Sequence, residues 1–158
     1  MDHMNWLKYG TELPDRPKSM GGIGDTFNHH VYFDEGHRVF DDAAAVRANE
    51  TYHEALELLN DGNFSGGVMY AGVMSHYISD MAVWGHVMGA DTPWGKEKHH
   101  EDYEGYVNEH QFLFEQAIYL IEPIERNSAY QATLDLAYDT LFGEPNATWM
   151  DDHYNWND

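Results

Sequence analysis

The chain has 158 residues, room for one domain of ordinary size, and 42% of them are hydrophobic and 15% aromatic, enough apolar surface to bury a core. Eight basic against 28 acidic residues give a formal charge of −20, a field that repels polyanions and excludes a conventional basic nucleic-acid groove. Cysteine is absent, which excludes disulfides, thiolate zinc fingers, iron–sulfur clusters and a cysteine nucleophile, and leaves His and carboxylate as the only ligands for a metal.

Residues 1–28 hold Gly10, Pro14, Pro17, Gly21, Gly22 and Gly24 and read mostly as loop, with at most a short helical turn over 5–9. The opening Met1-Asp2-His3-Met4-Asn5 lacks the basic start and apolar stretch of a signal peptide, and no run approaches the roughly 20 apolar residues of a transmembrane helix. From Asp42, read as an N-cap, Ala43, Val46, Tyr52, Ala55, Leu56 and Leu59 recur at three- and four-residue intervals, predicting a helix over 42–60 that Asp61-Gly62 stops. A second helix begins near Ser65, runs through Val68, Met69, Gly72, His76 and Asp80, and ends near Trp84-Gly85. It is apolar nearly all round and hence central.

After a loop carrying Gly89, Pro93 and Gly95, a helix from about Lys98 presents Tyr103, Val107, His110 and Phe114 and continues or restarts through Ala117, Leu120 and Ile121 to Pro123. A last helix, about 129–142, precedes an acidic, aromatic tail over 143–158. No segment alternates at period two and no solenoid repeat is present. The expectation is a single all-α domain of four to five helices over 1–158, with its helical core over 29–142.

The eleven His are the compositional anomaly, and they are paired or clustered. His76 and Asp80 lie four apart on the central helix, so both project from one face within reach of a common ion. His86 follows across the expected helix break, and His100 and Glu104 repeat the four-residue spacing on the next helix. The full string is H-x3-D-x5-H-x13-H-x3-E. Zinc takes imidazole nitrogen and carboxylate oxygen, and helices side by side deliver such ligands from facing turns, so the string can hold two ions.

In residue types and in intervals, this string resembles that of the zinc-dependent phospholipase C family, which shares a helical fold with fungal single-strand nucleases. The resemblance covers about residues 13–110. It implies that His76 and Asp80 ligate one zinc, with Asp80 also bridging toward a further ion, and that His86, His100 and Glu104 hold another. Asn28-His29-His30-Val31-Tyr32-Phe33-Asp34 is similar to the family's His-Phe-Tyr-Asp turn, which favours His30 over His29 as a further ligand of the first ion. Asp15, in Leu13-Pro14-Asp15, sits where the family places its other carboxylate, and there it is the candidate general base or water-orienting group as well as a ligand.

The family's third zinc uses the N-terminal residue of the mature chain and a His on a helix well upstream of the Asp. Only fourteen residues precede Asp15 here, and His3 is too close to serve. Two zinc sites are therefore expected, with either a missing N-terminal portion or a shortened relative. The Pro-x-His that is common before the third ligand of the string is replaced by Trp84-Gly85-His86.

The remaining features have plainer readings. His3, His37, His53, His110 and His153 read as ordinary side chains, and Met69, Tyr70, Met74, Met81 and Trp84 fall at helical spacing and read as core. Trp84, Trp94 and Tyr103 are near enough in sequence to the string to line a cleft. Asn49, Asn63 and Asn146 open N-glycosylation patterns, and the family is largely secreted, so an extracellular or cell-surface location is expected.

The resemblance implies a zinc-dependent phosphodiester hydrolase acting on a phospholipid headgroup or another phosphodiester, with no stable nucleic-acid complex. The competing expectation is a non-catalytic helical domain that zinc holds together for binding or assembly.

Overall fold

The structure is a computed structural model that describes residues 2–88, 100–113 and 127–143. Among these residues the chain forms six α-helices: α1 (His3–Glu12), α2 (Ala43–Asn60), α3 (Phe64–Asp80), α4 (Trp84–Met88), α5 (His100–His110) and α6 (Ala129–Phe142). A two-stranded ribbon, β1 (Tyr32–Phe33) and β2 (Val39–Asp41), precedes α2. The domain is all-α apart from this ribbon. No helix among the described residues is long and apolar enough to cross a membrane.

α3 is central, flanked by α1 and α2, and α6 packs against both α2 and α3. The buried face of α2 is made of small residues, Ala44, Ala45, Ala48, Thr51 and Ala55, with Ala48 joining Val73 and Tyr77 of α3. Asn63 caps α3 by accepting from the Gly66 amide at 3.0 Å. One apolar cluster gathers Val31, Phe33, Met81, Trp84, Val87 and Leu141, and a second joins Leu13, Ala48, Val73 and Tyr77. Met81 and Trp84 are thus core residues, and Met69, Tyr70 and Met74 pack against the second cluster. Trp94 lies outside the described residues, as do the 114–126 continuation and the tail beyond 143.

Three expectations are corrected. First, residues 3–12 are a full helix rather than loop. Asp2 caps it through its carboxylate, which accepts from the Asn5 amide at 2.8 Å. Gly10, read from the sequence as a breaker, is buried against α3, where it makes room for a backbone-to-backbone contact. Second, the long central helix ends earlier, at Asp80. The amides of Ala82 and Val83 bond back to Ser79 and Asp80 at 3.0 and 2.9 Å, tightening a turn before α4 restarts at Trp84. Third, Asp42 takes the N-cap position of α2 as expected, but without the side-chain capping bond that such an aspartate ordinarily makes. Asp41 accepts from the Ala43 amide at 3.2 Å instead, and the Asp42 carboxylate takes the Tyr130 hydroxyl of α6.

The ribbon was not expected either. Its pairing sets Tyr32 opposite Asp41 and Phe33 opposite Val39, too short a stretch to show a period-two pattern. The turn between the strands is held by Asp34, which accepts from the Gly36 and Arg38 amides at 2.8 and 3.0 Å. His37 takes a left-handed φ of 59° there and stacks on Phe142 of α6 at 3.9 Å.

Candidate metal centre

Four side chains from three separate segments converge beside the C-terminal half of α3. His76 and Asp80 come from α3 itself, one turn apart, with His76 Nε2 3.2 Å from Asp80 Oδ2. The ring of His76 is fixed from the far side, because its Nδ1 donates to the Thr11 carbonyl on α1 at 2.8 Å. That bond places the proton on Nδ1 and leaves the Nε2 lone pair directed at the cluster.

Asp15 follows the buried Leu13 and Pro14. The two arms of its loop are laced by the Ile23 amide donating to Leu13 at 2.8 Å and the Asp25 amide donating to Pro14 at 2.9 Å. This brings the 13–15 arm beside the 25–29 arm that carries His29.

His29 arrives on an extended run whose alternate residues face inward: His29 is 5% exposed, Val31 0% and Phe33 2%. His30 and Tyr32 face the other way and stack on each other at 4.2 Å. The run is pinned by the Val31 amide donating to the His86 carbonyl at 3.1 Å and the Ala44 amide donating to the His30 carbonyl at 3.0 Å. The reading that favoured His30 is therefore corrected in geometry. His30 Nε2 lies 3.0 Å from Asp41 on the ribbon, and His29 is the imidazole that meets Asp15, His76 and Asp80.

Three donor atoms, from Asp15, His29 and His76, lie close enough together to share one ion, and Asp80 Oδ2 stands against the two imidazoles. His29 Nδ1 is 3.0 Å from Asp80 Oδ2, 3.2 Å from His76 Nε2 and 3.5 Å from Asp15 Oδ1, and His76 Nε2 is 3.8 Å from Asp15 Oδ1. A tetrahedral zinc with bonds of about 2.0–2.2 Å separates its ligand atoms by about 3.3–3.6 Å, so the cluster brackets that spacing. Asp15, His29 and His76 form the one such group found among the described residues.

Burial supports the fit. Asp80 Oδ2 is buried without an aligned hydrogen-bond partner, and two ring nitrogens crowd that one carboxylate oxygen. Burial would push the Asp80 carboxyl up, but the imidazoles of His29 and His76, with His86 beyond them, hold it well below the usual carboxylate range. Burial likewise works against a charged His76, and Asp80, Asp15 and the Thr11 carbonyl outweigh it and raise its pKa. Asp80 stays ionised and the cluster favours positive charge at its centre, as a cation site requires.

The second expected set is spread over two helices. His86 lies on α4, with its ring centroid 6.1 Å from that of His29. Glu104 is exposed on α5, which His100 opens, and the His100 side chain lies outside the described residues. His3 is exposed at the start of α1.

The 25–29 arm is itself anchored by a polar network. Asp25 accepts from Arg47 Nε of α2 at 2.6 Å and from the Tyr77 hydroxyl of α3 at 2.8 Å, and the Asn28 side-chain amide donates to it. Burial raises the Asp25 carboxyl, and the bonds from Tyr77, Asn28 and Arg47 more than offset it, so its pKa is lowered from 3.8. Such a group contributes stability above its unfolded pKa and loses it as pH falls through the lower folded value. Asp25→Asn should therefore be less stable than the parent at about pH 6, with the difference narrowing below about pH 4, as thermal melts of the metal-free proteins across this range would read.

A His–carboxylate cluster of this kind, assembled on a central helix, is a candidate zinc site in an all-α domain. Residues 1–152 match the family described as zinc dependent phospholipase C, and the chain belongs to that family. No curated protein and no solved structure matches the chain.

Proposed function

We propose that this protein is a zinc-dependent phosphodiester hydrolase whose substrate is a phospholipid headgroup or a chemically similar phosphodiester. The observation that carries the reading is the convergence of Asp15, His29 and His76, with donor atoms 3.2–3.8 Å apart and Asp80 beside the two imidazoles, in a chain of the zinc-dependent phospholipase C family. Zinc bound there supplies a Lewis acid that polarises a phosphoryl oxygen and lowers the pKa of a bound water. The protein's part is positioning. Thr11 holds the His76 tautomer, and the inward-facing run over 29–33 delivers His29.

Asp15 is the most exposed member of the cluster, its side chain 63% accessible, and so it is the carboxylate a solvent-borne substrate and the attacking water can reach. We assign it the role of orienting that water and accepting its proton. His86, His100 and Glu104 are proposed to hold a second ion. Lipid is preferred to nucleic acid because the charge of −20 disfavours a long polyanion. Export from the cell accords with the family's secreted character.

A second reading, zinc as a structural staple, is favoured by the assembly of the cluster from three segments, which one ion would tie together. Zinc per chain after dialysis against metal-free buffer is expected to be about two, falling to about one in His100→Ala. Turnover of phosphatidylcholine micelles and of a chromogenic phosphodiester follows. His76→Ala is expected to abolish turnover while circular dichroism and the melting transition stay close to wild type. Unfolding of that variant would favour the staple, and absence of retained zinc in the wild type would overturn both readings.

A further inference from the structure

The polar network around Asp25 does more than its packing requires. Asp25 is only 15% exposed at its side chain, and Tyr77 is fully buried, so a carboxylate, a guanidinium and a phenol hydroxyl have been drawn together where apolar contacts would suffice to fill space. The three groups are held from two helices. Arg47 of α2 bonds Asp25 at 2.6 Å, is itself braced by Glu50 at 2.5 Å, and lies over the Tyr77 ring with its Cζ 5.6 Å from the centroid. Tyr77 of α3 bonds the same Asp25 oxygen at 2.8 Å.

What the network holds is the loop arm that carries His29. The Asn28 side-chain amide donates to the Asp25 carboxylate and its backbone N–H to the Asp25 carbonyl at 3.2 Å, so the residue just before His29 is tied to the network through its side chain and to Asp25 through a turn. The Tyr77 ring then meets the His29 imidazole edge to face, with centroids 5.2 Å apart and planes at 81°. Tyr77 thus fixes the arm through its hydroxyl and the imidazole through its ring, and it adjoins His76 in the chain.

We propose that Asp25, Arg47 and Tyr77 form a clamp that aims His29 Nδ1 into the cluster and so sets metal affinity, with none of the three touching the ion. They are positioning residues, and the inference rests on the reading of Asp15, His29 and His76, with Asp80 beside the two imidazoles, as a zinc site. Outer partners that orient ligands typically change metal affinity by about 10–100-fold when removed, because the ligand then pays to be ordered at binding.

The test is zinc titration of the full chain by competition with a chromophoric chelator, alongside the visible absorption of the cobalt(II)-substituted protein. The variants are Tyr77→Phe and Arg47→Met, with Ala137→Gly on α6 as a control that lowers stability outside the clamp. Tyr77→Phe is expected to weaken zinc binding about 10-fold or more at unchanged helix content and to shift the cobalt bands, while Ala137→Gly leaves both within about 2-fold of wild type. Should Arg47→Met fail to fold, Tyr77→Phe, which deletes one oxygen and keeps the ring, carries the test. Wild-type affinity in Tyr77→Phe, or an equal loss in Ala137→Gly, would overturn the clamp and leave the zinc site standing. A wild-type chain that binds neither metal would overturn the site and the clamp together.

Discussion

His29→Ala is expected to weaken zinc binding at the cluster by more than about 100-fold, beyond the loss that removing an outer partner causes, whereas His30→Ala leaves zinc content and affinity unchanged. The two residues are neighbours with opposite environments. His29 is 5% exposed, with its Nδ1 within 3.0–3.5 Å of three other donors, and removing it deletes a ligand and opens space at the centre of the site. His30 turns away from the cluster, its Nε2 3.0 Å from Asp41, whose side chain is 43% exposed, so its loss removes that contact and a ring stack on Tyr32 and no donor of the site. Elemental zinc and chelator competition on both variants decide the matter. Retention of zinc by His29→Ala together with its loss from His30→Ala would mean that the extended run sits in the opposite register, with every side chain over 29–33 turned over.

The same two residues show where sequence reading succeeds and where it stops. His76 and Asp80 are legible because helix geometry alone places residues four apart on one face, and the structure sets their atoms 3.2 Å apart. The helix over 129–142 and that over 43–60 are legible for a similar reason: each has a three- and four-residue apolar rhythm and a glycine-containing stop. His29 against His30 is a question of register in a run too short to announce itself as a strand. The usable signal was the inward alternation of His29, Val31 and Phe33, which becomes readable only once Val31 and Phe33 are known to enter the core.

α1 was hidden more completely. Its composition is balanced between polar and apolar residues, and Gly10 in its last turn argues against a helix on propensity alone. The helix exists because of what lies across from that glycine, a tertiary cause with no local signature. The Asp25 network was invisible for the same reason, since Asp25, Arg47 and Tyr77 meet only after α2 and α3 have packed.

Gly10→Ala is expected to destabilise the fold and, through it, the metal centre. In a solvent-exposed helix the same change stabilises by about 1 kcal/mol, because alanine is the better helix former. Here a Cβ on Gly10 would stand 1.9 Å from the Met69 carbonyl oxygen, and the reciprocal Cβ on Gly72 would stand 2.2 Å from that of Leu7. Both obstacles are backbone atoms, which cannot swing aside as a side-chain end can, so α1 must move off α3. Overpacking of this kind costs about 1–3 kcal/mol and occasionally more. In a chain of this size that lowers the melting temperature by about 2–12 °C. The displacement reaches the site directly, because Thr11, the next residue, supplies the carbonyl that holds His76 Nδ1 at 2.8 Å. Denaturant melts of the metal-free protein should show the loss of stability, and zinc titration should show weaker binding than in Ala137→Gly. A Gly10→Ala protein that melts earlier yet binds zinc as tightly as wild type would separate the seat of α1 from the orientation of His76, and would leave Asp80 and the helix itself as sufficient to aim that ring.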